Sequence, residues 1–168
     1  MTIAAPPIAV AQEKPTLTPE DYGRWESLGP AVLSPDGAWL AYRVTRVNEE
    51  DELRVRRLAE DSTRVVPWGE DPVFAASGRW LAYAIGVSRT ERERLEEADE
   101  PVRLGTGLLD LESGAERDFD DVAAFAFDAE GRFLALHGYA PDAPEDSAPG
   151  GADLRVLDLE AGSSLTLG

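Results

Sequence analysis

Three observations predict an all-β chain folded as a partial β-propeller of about three four-stranded antiparallel blades, with a short N-terminal helix and a helical insertion in blade two. The segment VLSPDGAWLAYRV at residues 32–44 recurs as VFAASGRWLAYAI at 73–85 and, more loosely, as AFDAEGRFLALHG at 126–138. Its glycines, Gly37, Gly78 and Gly131, stand 41 and then 53 residues apart, close to the period of one four-stranded blade once insertions are allowed. A second repeat runs in phase with the first: Leu53 to Ser62, Leu108 to Gly114 and Leu154 to Gly162 each read as a strand ending in a polar turn.

Residues 1–16 precede the repeats and are rich in alanine and proline. Ala9-Val10-Ala11 followed by Gln12 has the small-x-small form of a signal-peptidase site, but the stretch before it is short and lacks a basic start. Two readings stay open: the tail of a signal peptide whose start lies upstream, or a disordered terminus. The first implies a periplasmic or secreted protein. The short helix comes next, with Thr18 as cap, Pro19 at its first position, and Glu20 and Asp21 complementing the helix dipole. Leu17 and Tyr22 suit a hydrophobic staple across that cap.

From Ala31 onward short apolar runs alternate with Gly, Pro and Asp, the strand-and-turn pattern of residues 17–168 as one partial propeller. The blades are expected at about 31–67, 72–119 and 122–168. Pro35-Asp36-Gly37 favours a tight turn, because glycine accepts a positive φ without side-chain clash. The unbroken apolar runs after the turns, Trp39 to Tyr42 and Trp80 to Tyr83, imply strands covered on both faces, as when blades stack. The extra length of blade two is SRTERERLEEADE at 88–100. It reads as a surface helix capped by Ser88 or Thr90, with Arg92 paired to Glu96 and Pro101 as a stop. The extra length of blade three, YAPDAPEDSAPGGAD at 139–153, is expected to be a mobile loop.

Composition narrows the function. The 168 residues include 33 acidic and 16 basic ones, a net charge of −17, and no basic stripe overrides that field. A phosphate backbone is therefore repelled, and nucleic acid is not an expected partner. Arg54, Arg56 and Arg57 are the densest basic group, and they lie among Asp51, Glu52, Glu60 and Asp61, as on a solvated strand rim. The chain has no cysteine, which excludes disulfides and thiolate metal sites, and no apolar stretch long enough to span a membrane.

No catalytic residue can be assigned. An α/β-type serine hydrolase needs its nucleophile on a G-x-S-x-G turn, and the sequence has none. His137, the single histidine, ends a predicted strand beside Gly138 and reads as structural. No metal or other cofactor is expected: Asp118, Asp120, Asp121 and Asp128 lack the regular spacing of a calcium loop and read as solvated turn residues. One pair invites a binding role. Glu96 and Glu97 could engage the ammonium terminus of a peptide substrate if the helical insertion faced a cavity, against the plainer reading of a charged helix face.

From Leu17 onward the chain resembles a known family. LTPEDYGRWESLGPAVLSPDGAWLAY, followed by DELRVRRL and VFAASGRWLAYAIG, is similar to the amino-terminal propeller of bacterial secreted prolyl oligopeptidase-family serine peptidases. The S-P-D-G-x-W-L-A-Y element is also similar to repeats of TolB-type periplasmic propellers. The lead-in with Tyr22, Arg24 and Trp25 and the order of insertions favour the peptidases. The resemblance implies a propeller that covers a carboxy-terminal α/β-hydrolase domain and screens peptide substrates by size, with the Ser, Asp and His supplied by that domain. The partners implied are further blades, the hydrolase domain and peptide substrates. A TolB-like resemblance implies a binding or scaffold module instead. Three blades also leave open edges, through which copies could associate. Blade two carries Ala75-Ala76-Ser77 where blade one has Ser34-Pro35-Asp36, which puts that turn's geometry in question.

Overall fold

The protein is described from a computed structural model, which covers residues 25–141 and 151–168 together with Thr18 and Tyr22. The N-terminal helix expected after Leu17 lies largely outside those residues; Tyr22 is helical, and its ring centroid is 4.7 Å from that of Trp25. Most of the loop expected at 139–153 lies outside them as well.

Among the described residues, twelve strands form three separate antiparallel sheets of four, each in simple sequence order. Blade one comprises β1 (Glu26–Leu33), β2 (Trp39–Arg46), β3 (Glu52–Arg57) and β4 (Thr63–Pro67). Blade two comprises β5 (Gly69–Phe74), β6 (Trp80–Ile85), β7 (Gly105–Asp110) and β8 (Glu116–Phe119). Blade three comprises β9 (Val122–Phe127), β10 (Phe133–Gly138), β11 (Leu154–Asp158) and β12 (Ser163–Leu167). The helix α1 (Arg89–Glu97) is inserted between β6 and β7. Only Trp68 separates β4 from β5, and only Asp120 and Asp121 separate β8 from β9. The last strand of one blade thus runs straight into the first strand of the next.

The first strands start earlier than the sequence pattern indicates, at Glu26 rather than 31 and at Gly69 rather than 72. Gly29-Pro30 and Pro72 read as strand breakers. Instead the chain bulges there, with register shifts between Leu28 and Ala31 and between Glu70 and Val73. Proline is tolerated because these are edge strands, and a bulge takes up the residue that cannot pair.

Two cores lie between the blades. Ala41, Leu53, Val55 and Val66 of blade one meet Leu81, Tyr83, Leu109 and Leu111 of blade two. Ala82 and Leu108, on the opposite side of blade two, meet Val122, Leu134, Leu136, Leu157 and Leu159. Strand side chains alternate between faces, so β6 must be apolar throughout to serve both neighbours, and Leu81 to Ala84 are all buried. In β2 Ala41 is buried against blade two, while on the opposite face Val44 is buried and Leu40 and Tyr42 are half-buried.

The turn after each first strand is the same in all blades. Gly37, Gly78 and Gly131 have φ of 68°, 74° and 73°, and each donates its amide to the residue three before it. In blade one the buried Ser34 hydroxyl accepts from Trp39 N at 2.9 Å and donates to Asp36. In blade three the Asp128 carboxylate takes over this task, accepting from Phe133 N at 2.7 Å. Ala75-Ala76-Ser77 makes the turn without either device, so its departure in sequence leaves the geometry unchanged.

A second clamp joins that turn to the third strand. Arg79 pairs with Asp110 at 2.8 Å and lies over the Trp80 ring, and Arg132 pairs with Asp158 at 2.7 Å and lies over Phe133. The Arg79 guanidinium, together with the amides of Glu112 and Ser113, holds the Asp110 carboxyl down at about 2. A carboxylate lowered from about 3.9 contributes about 2 kcal/mol of stability, present above the unfolded value and lost as pH falls through the folded one. Asp110→Asn is therefore expected to cost about that much at pH 7. The gap between variant and parent, read from urea unfolding, should close between about pH 4 and pH 2.

Helix α1 is capped by Ser88, whose hydroxyl accepts from Glu91 N, and it ends four residues before Pro101, where Asp99 adopts a φ of 56°. Its ion pairs are Arg89–Glu93 at 2.8 Å and Arg94–Glu91 at 2.8 Å, while Arg92 reaches across to Glu49 at 3.5 Å rather than to Glu96. None of its residues is buried. Ser88→Ala should cost about 1 kcal/mol of helix stability. Faster amide exchange in residues 91–97, at an unchanged global unfolding midpoint, is the signature expected.

Candidate functional site

In an up-and-down blade, alternate connections emerge at the same end. The β2–β3, β6–β7 and β10–β11 connections share one end of the array with the β4–β5 and β8–β9 links. Clefts open there at both blade junctions.

Between blades two and three lies a cavity of about 400 Å3. Phe119, Val122 and Leu136 supply its apolar part, and Asp120, Asp121, Asp153, Arg103 and Arg155 its charges. Tyr139 anchors the rim, its hydroxyl accepting from Leu104 N at 3.1 Å while Arg103 lies 5.6 Å over its ring. A neighbouring cavity of about 330 Å3 shares Arg103, Phe119, Asp120 and Asp121 and adds Asp118. Partial desolvation, with the negative charges of Glu116 and Asp120, raises the pKa of Asp118.

Between blades one and two a smaller cavity of about 190 Å3 is lined by Trp68, Glu70, Arg43 and Arg92, among others. Arg43 bridges the junction, pairing with Asp51 at 2.9 Å and with Glu70 of the next blade at 3.0 Å. Its Nε is buried without a hydrogen-bond partner. Trp68 takes a φ of 53°, so the chain turns between blades within one residue. Trp68 O accepts from Gly86 N and Trp68 N donates to Asp51 O, fixing the link to both adjoining loops.

The residues singled out in the sequence fall as follows. Glu96 and Glu97 are on the last turn of α1, exposed, and line none of these cavities, whereas Arg92 of the same helix does. Asp118, Asp120 and Asp121 gather at the β8–β9 link, but Asp128 is at the far end of β9, engaged in its own turn. Among the described residues no group of three His, Asp or Glu is placed to hold a metal ion. His137 alternates with the buried Leu136 on β10 and is exposed on the side away from blade two, so it does not reach the large cavity. The cavity residues Arg103, Tyr139 and Arg155 carry no local motif; only the folding of successive blades brings them together.

These features define three consecutive blades of a β-propeller. Solved propellers carry the same fold. The array is similar to the β-propeller domain of the Trilobed protease from Pyrococcus furiosus, with a TM-score of 0.54 and 13% identity over 85% of this chain and 43% of that one. It is similar to acylaminoacyl peptidase of Pyrococcus horikoshii, with a TM-score of 0.53 and 13% identity over 87% of this chain and 26% of that one. It is also similar to the tricorn protease, with a TM-score of 0.51 and 17% identity over 79% of this chain and 14% of that one. The chain spans less than half the length of each. No protein-family model matches the sequence, and no curated protein matches it. Among the described residues no helix is long and apolar enough to cross a membrane.

Proposed function

We propose that the chain is the amino-terminal propeller segment of a secreted or periplasmic serine peptidase of the prolyl oligopeptidase kind, admitting or excluding peptide substrates and performing no catalysis itself. The observation that carries this reading is a fold shared with propellers of several peptidases over most of the chain. The lead-in and insertion pattern already resembles that family. The polar-rimmed clefts at one end of the blades supply a surface along which an extended peptide can be steered, through contacts rather than bond-making. In the parent enzyme the remaining blades complete the ring, and the hydrolase domain supplies nucleophile, base and acid. The SPDGAWLAY element favours a second reading, a TolB-like binding or scaffold propeller in the periplasm.

Two assays separate these. The pure chain should not cleave a chromogenic prolyl peptide above the buffer rate. The protein translated from the intact reading frame should cleave short peptides and spare large proteins, and removing residues 25–168 from it should erode that preference at least tenfold. Cleavage by the pure chain, or an intact protein without peptidase activity, would overturn the peptidase reading, and the latter would favour the scaffold.

A further inference from the structure

Helix α1 is anchored before its start and after its end, and hardly at all along its length. On the N-terminal side Gly86 N donates to Trp68 O at 2.9 Å. On the C-terminal side Leu104 N donates to the Tyr139 hydroxyl at 3.1 Å, and Leu104 O accepts from Val122 N at 2.9 Å. The first anchor belongs to the junction of blades one and two, the second to that of blades two and three. Between them no residue of Arg89–Glu97 is buried. A helix of a globular protein draws most of its hold on the core from a buried apolar face, and α1 has none. The return segment, residues 98–104, forms no helix or strand and includes Asp99 with a φ of 56° and Pro101.

Charge holds α1 over the blades. Arg92 reaches Glu49 in the β2–β3 turn at 3.5 Å, with both side chains 49% exposed. Arg89, three positions earlier and so on the same face of the helix, is bonded to Glu93 and also feels the charge of Glu49. Among the described residues Arg92–Glu49 is the ion pair that ties α1 to a blade. Both partners line the cavity of about 190 Å3 together with Trp68 and Glu70, so the pair forms part of the wall of that cleft. An exposed pair shifts an equilibrium by a factor of about five at most. Salt weakens it further: the Debye length falls from about 30 Å at 10 mM to about 3 Å at 1 M, less than the separation of the pair.

We propose that α1 is an electrostatically latched lid on the cleft between blades one and two. With Arg92 on Glu49 the helix shields Trp68 and Glu70; with the pair broken it swings about its anchors at Gly86 and Leu104 and opens the cleft to solvent. The blades stay in place, because Leu53, Val66, Leu81 and Tyr83 keep their burial between them. Access to this cleft therefore depends on ionic strength, while the fold does not. Control of peptide entry by the lid rests on the function proposed above. The movement itself does not, and it is measured without a peptide.

Trp68 is the reporter and acrylamide, a neutral quencher, the probe. Trp25, Trp39 and Trp80 are changed to Phe so that Trp68 alone emits; Phe133 already stands in blade three at the place of Trp39 and Trp80. Raising NaCl from 10 mM to 1 M should increase the quenching constant by about 1.5-fold or more. Arg92→Glu and Glu49→Arg should each reach the higher value at 10 mM and respond little to salt. The protein carrying both substitutions, with the charges exchanged, should return most of the way to the parent value. The urea unfolding midpoint should be the same in all of them, which separates an open lid from a lost fold. Quenching of the parent that ignores salt, single variants that quench like the parent, or a charge exchange that recovers nothing would each overturn the latch. Should the triple Phe protein fail to fold, the difference between wild type and Trp68→Phe reports the same quantity across the salt range. A chain whose parent has no peptidase activity can still show these changes, and a peptidase can lack them, so the two readings fail separately.

Discussion

Gly107→Ala is expected to destabilise the chain by about 3 kcal/mol, the upper part of the range for overpacking a core. A Cβ at this position would lie 2.2 Å from Cε2 of Tyr83 and 2.4 Å from Cζ, far inside van der Waals contact. The ring cannot swing away. Tyr83 is fully buried in the core between blades one and two, and its hydroxyl donates to the Glu116 carboxylate, which Arg64 of blade one also holds at 2.7 Å. Burial, together with the adjacent Glu116 charge, pushes the phenol far above its ordinary range, so the proton stays on Tyr83. Tyr83→Phe removes only the hydrogen bond and should cost about 1 kcal/mol, more if Glu116 loses its orientation. Tyr83→Leu should relieve the clash, so that Gly107→Ala in that background costs less than about 1 kcal/mol. Urea unfolding of the four proteins gives the cycle, and equal costs in both backgrounds would place the clash elsewhere.

Gly131→Ala should cost about 3 kcal/mol, and the comparison with Gly37→Ala shows why. Both glycines occupy the same turn, with φ of 73° and 68°, so both substitutions incur the left-handed backbone penalty of about 1–2 kcal/mol. At Gly37 an added Cβ meets nothing within 4 Å. At Gly131 it meets Ala76 N at 2.8 Å, Ser77 N at 2.9 Å and the Ala75 Cβ at 3.0 Å, where the turn of blade three rests on the backbone of the turn of blade two. The difference between the two variants isolates that contact. Equal destabilisation would mean the blades are not packed this closely.

The repeat explains why so much of the fold is readable in the amino-acid order. Each blade must place a turn glycine with positive φ ahead of an apolar strand that packs on an adjoining blade, and Gly37, Gly78 and Gly131 with their following aromatic residues state both requirements locally. The bulged first strands were less legible, since Pro30 and Pro72 look like strand ends until their edge position is known. Ser88 as the cap of α1 is a local feature and could be read. The reach of Arg92 to Glu49, 43 positions away, could not.

The clefts were hardly legible. Arg103, Tyr139 and Arg155 come from three connections or strands with unrelated surroundings, and Trp68 looks like any aromatic residue before a glycine. Glu96 and Glu97 attracted notice as adjacent acids on a helix, but α1 presents Arg92, not them, to the smaller cavity.

Membership of these blades in a longer propeller carried by a serine hydrolase, as proposed, is open to a direct check. The coding DNA beyond the codon for Gly168 tests it most directly. Further strand-and-turn repeats are expected in the same frame, then a G-x-S-x-G turn followed by an aspartate and a histidine. An in-frame continuation with neither blade repeats nor that nucleophile turn would contradict it.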